Sequence, residues 1–225
     1  MTAQGTGSST ISTTCQGSFA TWLVTVTVGP RTTFPAGQYL VGSDIRPGRY
    51  FSDPAMSCYW QRQSGLGGTS AELLADESVD FNAGQWIVDI LSSDRAFETD
   101  ANCGTWFPTQ RRGLQADITP GVWLVGSQVA PGRYLASATA GCYWERMRDF
   151  QGTFEGVIAN DFVNAPGQQL VQILASDAGF QSDDGCGTWT RVASLGPALQ
   201  NADRSQTVSE MESNREMRRR RTGVR

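Results

Sequence analysis

Mainly β structure, in tandem copies of a small sandwich- or barrel-like module each stapled by one disulfide, follows from three features of the chain. Blocks of sequence recur at a near-constant spacing. Short runs rich in Val, Ile, Tyr and Trp alternate with Gly and Pro signals. Cysteines fall in matched pairs, one pair to each copy.

The recurrence comes first, because a missed repeat miscalls the fold. GQYLVGSDIRPGRY (Gly37 to Tyr50) matches GVWLVGSQVAPGRY (Gly121 to Tyr134) at nine of 14 positions, with an offset of 84. SCYWQR from Ser57 meets GCYWER from Gly141 at the same offset. After a one-residue gap, ILSSDRAF from Ile90 meets ILASDAGF from Ile173, and CGTW at Cys103 meets CGTW at Cys186. Four blocks in register define module 1 over 34–109 and module 2 over 118–192. A Ser/Thr/Gly-rich leader (1–33) precedes them and an Arg-rich tail (193–225) follows. Trp22 stands 15 residues before Gly37, as Trp106 stands 15 before Gly121. Residues 15–33 therefore read either as a remnant strand of an earlier copy or as a coincidence.

Within each module QYLVG, RYFS, CYWQR and QWIVDIL read as strands. Arg46-Pro47-Gly48-Arg49 and Ala130-Pro131-Gly132-Arg133 set a Pro-Gly step between two such runs, the chemistry of a type II turn. SAELLADES (70–78) and FEGVIANDF (154–162) alone have some helical look, enough for one short helix or a polar loop per module. About 75 residues make a thin all-β core, which needs at least three strands and a covering face.

That thin core gives the cysteines their meaning. Cys58 with Cys103, and Cys142 with Cys186, place one thiol in a CYW strand and its partner beside CGTW in both copies. Small domains stapled this way belong to oxidising compartments. Closing a loop of about 44 residues restrains the unfolded chain by roughly 4 kcal/mol. A metal site fits poorly, with two thiols per module, no CxxC and no His. Cys15 is left over. Ser12-Thr13-Thr14 before it lacks the apolar residue of a lipidation signal, which favours a free thiol over a lipid anchor or an intermolecular bridge.

Composition excludes whole reaction classes. All 18 basic residues of the 225 are Arg, against 22 acids, with no Lys and no His. Without His there is no Ser-His-Asp or Cys-His system and no His-bound metal. Without Lys there is no Walker phosphate loop and no Schiff base. No cofactor is called for. No apolar run approaches the roughly 20 residues of a membrane-spanning helix. Residues 1–213 carry 12 Arg and 21 acids (−9), and 214–225 carry six Arg and one Glu (+5). An acidic body argues against nucleic acid as a partner. The Arg218 to Arg221 run reads as a disordered terminus in preference to a contact for a membrane surface or acidic partner. Residues 1–14 show no signal-peptide pattern. An upstream start, signal-independent export and assembly into a virion all remain open.

The string PGxY…GCYWxR…SDxxF…GCGTW resembles an uncharacterised repeat module of secreted proteins and lipoproteins of high-GC Gram-positive bacteria. VGSDIRPGRY is also similar to a short β motif of extracellular Gram-positive and some phage proteins. The resemblance covers roughly 150 residues of 225 and implies an extracellular, disulfide-bonded β module. It carries no catalytic residue.

Residues kept in both copies are the first candidates for chemistry: Arg49 and Arg133, Arg62 and Arg146, Asp94 and Asp177. With Tyr59-Trp60 and Tyr143-Trp144 the arginines suit a carboxylate or sugar pocket, by stacking and bidentate contacts. The competing role is structural, each Arg forked onto its own Asp or onto turn carbonyls, with the tryptophans in the core. Glu72, Asp76, Glu77 and Asp80 in module 1, and Glu155, Asp161, Asp183 and Asp184 in module 2, keep no common spacing and read as a solvated acidic face. The expectation is a non-enzymatic extracellular or cell-surface protein that binds an unknown protein or glycan at the envelope. The alternatives are a phage tail or decoration protein and, less favoured, a glycan hydrolase built on two carboxylates.

Overall fold

Residues 7–15, 18–26, 29–53, 57–79 and 84–192 are described by the structure, a computed structural model. Strands β1 (Gly7–Cys15) and β2 (Ser18–Val26) pair antiparallel, with Ile11 opposite Trp22 and Cys15 opposite Ser18. The candidate remnant strand is thus half of a two-stranded hairpin. The Arg-rich tail lies outside the described residues.

Module 1 contains β3 (Gly37–Leu40), β4 (Gly48–Ser52), β5 (Cys58–Gln63), β6 (Leu73–Val79), β7 (Trp86–Ile90) and β8 (Ala96–Thr99). Module 2 contains β9 (Asp117–Ile118), β10 (Gly121–Leu124), β11 (Gly132–Ala138), β12 (Cys142–Met147), β13 (Val157–Val163), β14 (Gly167–Ile173), β15 (Gly179–Ser182) and β16 (Trp189–Val192). One sheet of module 2 runs β10-β15-β12-β13 and the other β14-β11-β16-β9. Module 1 repeats this order. Its first sheet is β3-β8-β5-β6, and its β4-β7 pair is extended by bridges from Phe51 to Phe107 and from Trp106 to Phe34. All named strands pair antiparallel.

Strand alternation sends every second side chain into the space between the sheets. On β5 these are Cys58, Trp60 and Arg62, all buried, while Tyr59 and Gln61 point the other way. Trp106 and Trp189 are fully buried, each edge-on to a phenylalanine (Phe97 and Phe180). Their indole N–H groups donate to Thr99 and Ser182 at 2.9 and 2.7 Å, so neither is buried without a partner. The disulfides Cys58–Cys103 and Cys142–Cys186 tie β5 and β12 to the turn that precedes each of these tryptophans.

Two local expectations are corrected. The chain reverses at Gly42-Ser43-Asp44 and Gly126-Ser127-Gln128, not at Pro-Gly. Gly42 and Gly126 sit at φ near +89° and +88°, the left-handed region that glycine tolerates. Asp44 and Gln128 then accept the N–H of Leu40 and Leu124. Pro47 and Pro131 lack an N–H for a ladder and stand just outside β4 and β11 instead. The segments with a helical look hold one 3₁₀ turn each, Ser70–Glu72 and Phe154–Gly156, and then become the strands β6 and β13.

The two modules are not beads on a string. Val122, Met147 and Phe150 of module 2 belong to the same apolar cluster as the core of module 1. Gln85 and Gln128, both buried, exchange side-chain hydrogen bonds at 2.9 Å. Val122 N–H donates to the Gln85 carbonyl at 2.7 Å, and Asp89 N–H to the Phe150 carbonyl at 2.8 Å.

Candidate functional site

Strand alternation, with the interface, decides what the site is. β6 and β7 are edge strands of the two sheets of module 1, so the sandwich is open between them. Module 2 lays Tyr143, Glu145 and the loop 149–156 over that opening. A cleft of about 510 Å³ remains between the modules. Trp60, Trp86, Ile87 and β6 residues 73–77 form one wall, and Tyr143, Glu145, Gln181 and residues 149–150 and 152–157 form the other. Gly152, at φ near +72°, brings the loop close enough that a Cβ there would stand 2.5 Å from Trp60 Cη2. Any other residue at 152 would push the loop off the indole.

Asp76 and Glu77 of module 1 and Glu145, Asp149 and Glu155 of module 2 line this cleft, and burial acts most on one from each copy, Glu77 and Glu145. Glu145 is 8 % exposed, and its Oε2 accepts the Tyr143 hydroxyl at 2.5 Å, while Asn160 donates to that hydroxyl oxygen at 3.3 Å. Burial raises the Glu145 pKa, against the lowering effect of that hydrogen bond. Glu77 is pushed up to about 7 by burial first, then by the charges of Glu145 and Asp76. The Tyr143 hydroxyl is raised by burial and by Glu145 beside it. The buried indole N–H groups of Trp60 and Trp86, whose residues line the cleft, and of Trp144, whose residue does not, have no partner among the described residues. Buried donors of this kind are uncommon and call for an acceptor.

The arginines singled out from the sequence are placed differently. Arg62, 3 % exposed, grips Asp94 bidentately at 2.7 and 2.8 Å and gives its third nitrogen to the Gln151 carbonyl of module 2. Arg146 grips Asp177 at 2.7 and 2.9 Å. Asp94 and Asp177 also accept the N–H of Leu91 and Leu174, closing the turn before each β8-type strand. These groups fix turns, and Arg62 has no edge left for a ligand. Arg49 pairs with Asp89 and lies 4.4 Å over the Phe150 ring, clamping the modules together. Arg133 lies at the matching position of β11, opposite Gln172. Trp144 stacks on Phe180 and meets Trp189 edge-on. Tyr59 donates to Gln61 and lies away from the cleft. Of the eight residues, Trp60 and Tyr143 line it.

Of the acids, Asp76, Glu77 and Glu155 line the cleft. Asp183 accepts the Tyr143 N–H at 2.8 Å. Asp80 lies outside the described residues. Glu145, Trp86 and Phe150 were not singled out from the sequence. Their signal is divergence between the copies, where Gln61, Gln169 and Leu66 stand at the matching positions. Among the described residues, two groups of three potential metal-ligand atoms come within 4.8 Å of one another: Cys58, Asp100, Cys103 and Cys142, Asp183, Cys186. Their sulfurs are bonded to each other and offer no thiolate.

Two disulfide-linked β sandwiches in tandem, with no helix long and apolar enough to cross a membrane among the described residues, define a repeat of small β modules built for oxidising surroundings. Residues 31–107 and 115–190 each match the Rv1352-like extracellular domain. The chain belongs to that family and acts at an extracellular or cell-envelope location. No curated protein and no solved structure matches it.

Proposed function

We propose that the chain is a non-enzymatic, secreted or envelope-held binding protein, and that its ligand occupies the cleft between the two modules. One observation carries the reading: the 510 Å³ cleft between the modules is lined by Glu77 and Glu145 together with Trp60, Trp86, Tyr143 and Phe154. Donors, acceptors and aromatic faces in one apolar-walled recess are what a small polar ligand needs. Of the arginines kept in both copies, Arg62 and Arg146 hold turns and Arg49 joins the modules, which leaves recognition to residues found where the copies meet.

A glycan hydrolase is favoured by one feature, a Glu held protonated near neutral pH beside a second carboxyl. Against it, Glu145 engages one oxygen with Tyr143, which suits a fixed acceptor better than a nucleophile. Crystals of the whole chain soaked with neutral, cationic and anionic fragments test the binding reading. Fragments seated between Trp60 and Tyr143 support it, and fragments found only elsewhere refute it. Turnover of glycoside substrates that Glu77→Gln abolishes would replace it with the hydrolase.

A further inference from the structure

We infer that the ligand of the inter-module cleft is an organic cation, an ammonium group carried on a hydroxylated frame of the amino-sugar kind. The inference rests on the cleft being the ligand site and adds the charge and class of its occupant.

The walls hold Asp76, Glu77, Glu145, Asp149 and Glu155 and not one arginine. The chain has no Lys or His to supply a counter-charge. Arg49, which lies over the lining Phe150 ring, is paired with Asp89, Arg62 with Asp94 and Arg146 with Asp177. An anionic ligand would meet like charge on both walls. A neutral one would bring no counter-charge, and Glu77 and Glu145 would stay in the protonated form that burial favours. An ammonium group supplies that charge, and the rings of Tyr143 and Phe154 in the lining suit it through cation–π attraction. Phe154 is 81 % exposed at the mouth, an apolar ring that its own module does not cover.

A bare metal ion fits less well. Hard divalent cations gather six or more oxygens, yet among the described residues no three carboxylates of the cleft bring their oxygens within 4.8 Å of one another. Tyr143, Thr153 and Gln181 also line the cleft and offer hydrogen-bonding groups to the hydroxyls of a larger amine, which a simple ammonium ion would leave unused. The acid pair also belongs to the junction alone. Gln61 replaces Glu145 in module 1, so one copy by itself does not build it.

Calorimetry and tryptophan indole N–H resonances of the whole chain test this, with glucosamine hydrochloride, glucose, sodium glucuronate and calcium chloride as probes. Glucosamine should bind at least about tenfold more tightly than glucose or glucuronate. Glu77→Gln with Glu145→Gln should weaken glucosamine by about tenfold or more. Near pH 7 the binding heat should differ between buffers of different ionisation enthalpy, because a bound cation expels the Glu77 proton. Equal binding of glucose and glucosamine at shifted Trp60 and Trp86 resonances would overturn the cation and keep the cleft. Displacement of glucosamine by calcium would overturn the organic cation in favour of a metal. If no probe moves those two resonances, the cleft and the inference fall together.

Discussion

Phe150 and Leu66 occupy the same position in the two copies, yet Phe150 is 1 % exposed and Leu66 is 51 % exposed. The difference is the module interface, since Phe150 plugs into the core of module 1 while Leu66 faces outward. Phe150→Ala removes a buried ring and leaves the Arg49 guanidinium, now 4.4 Å from its centre, over a void. Deleting a buried Phe costs about 3–5 kcal/mol. Leu66→Ala, on an exposed loop, should stay within about 0.5 kcal/mol. With urea slopes of about 1–3 kcal/mol per molar, the first variant should lower the unfolding midpoint by about 1 M or more and the second by about 0.5 M at most. The assay is urea unfolding followed by tryptophan fluorescence, with all variants in one buffer. Equal shifts for the two variants would refute the shared core, because they would mean that neither loop is held by the other module.

Removing either disulfide by double Cys→Ala substitution should cost roughly 4 kcal/mol, and nearly the same in both modules because the bridges span 45 and 44 residues. A comparison of urea midpoints checks this. Asp94→Asn strands the Arg62 side chain, 3 % exposed, and should cost about 3–5 kcal/mol. Asp53→Asn breaks an exposed pair with Arg112 and should cost about 1 kcal/mol at most in the same assay. Glu77 keeps its proton to about pH 7 in the fold, against 4.5 as its ordinary value. The native state therefore binds more protons between those values, and stability falls as pH rises through them. Unfolding midpoints measured from pH 4 to 8 should show that fall, and Glu77→Gln should flatten it.

Much of the scaffold is written in the local sequence. The four repeated blocks give two copies, the alternation of Cys58, Trp60 and Arg62 gives a strand with an inner face, and the paired cysteines give the bridges. The site is less legible because it depends on how one copy lies against the other, and no local pattern encodes that. Identity between copies points to what each module needs for itself, and the turn-holding pairs Arg62–Asp94 and Arg146–Asp177 are of that kind. The cleft is made from differences. Glu145 replaces Gln61, Phe150 replaces Leu66, and Trp86 stands where module 2 has Gln169. A change of charge, polarity or size between the copies at matching positions marks the face where the two modules stop being equivalent. The Pro-Gly step misled for a related reason. Its turn chemistry is genuine, but the Tyr50 hydroxyl donates to the Arg46 carbonyl at 2.7 Å, as Tyr134 does to Ala130 at 2.8 Å, and this anchors the segment as the run-in to a strand.

The central claim is a ligand site made jointly by two copies of one module. Backbone amide shifts of the whole chain, assigned and followed during titration with glucosamine, test it most directly. Shifts that concentrate on residues 73–77 and 86–87 of module 1 and on 143–157 of module 2, saturating together with one Kd, are the predicted result. Shifts confined to a single module, or saturating with different Kd values in the two, would contradict it.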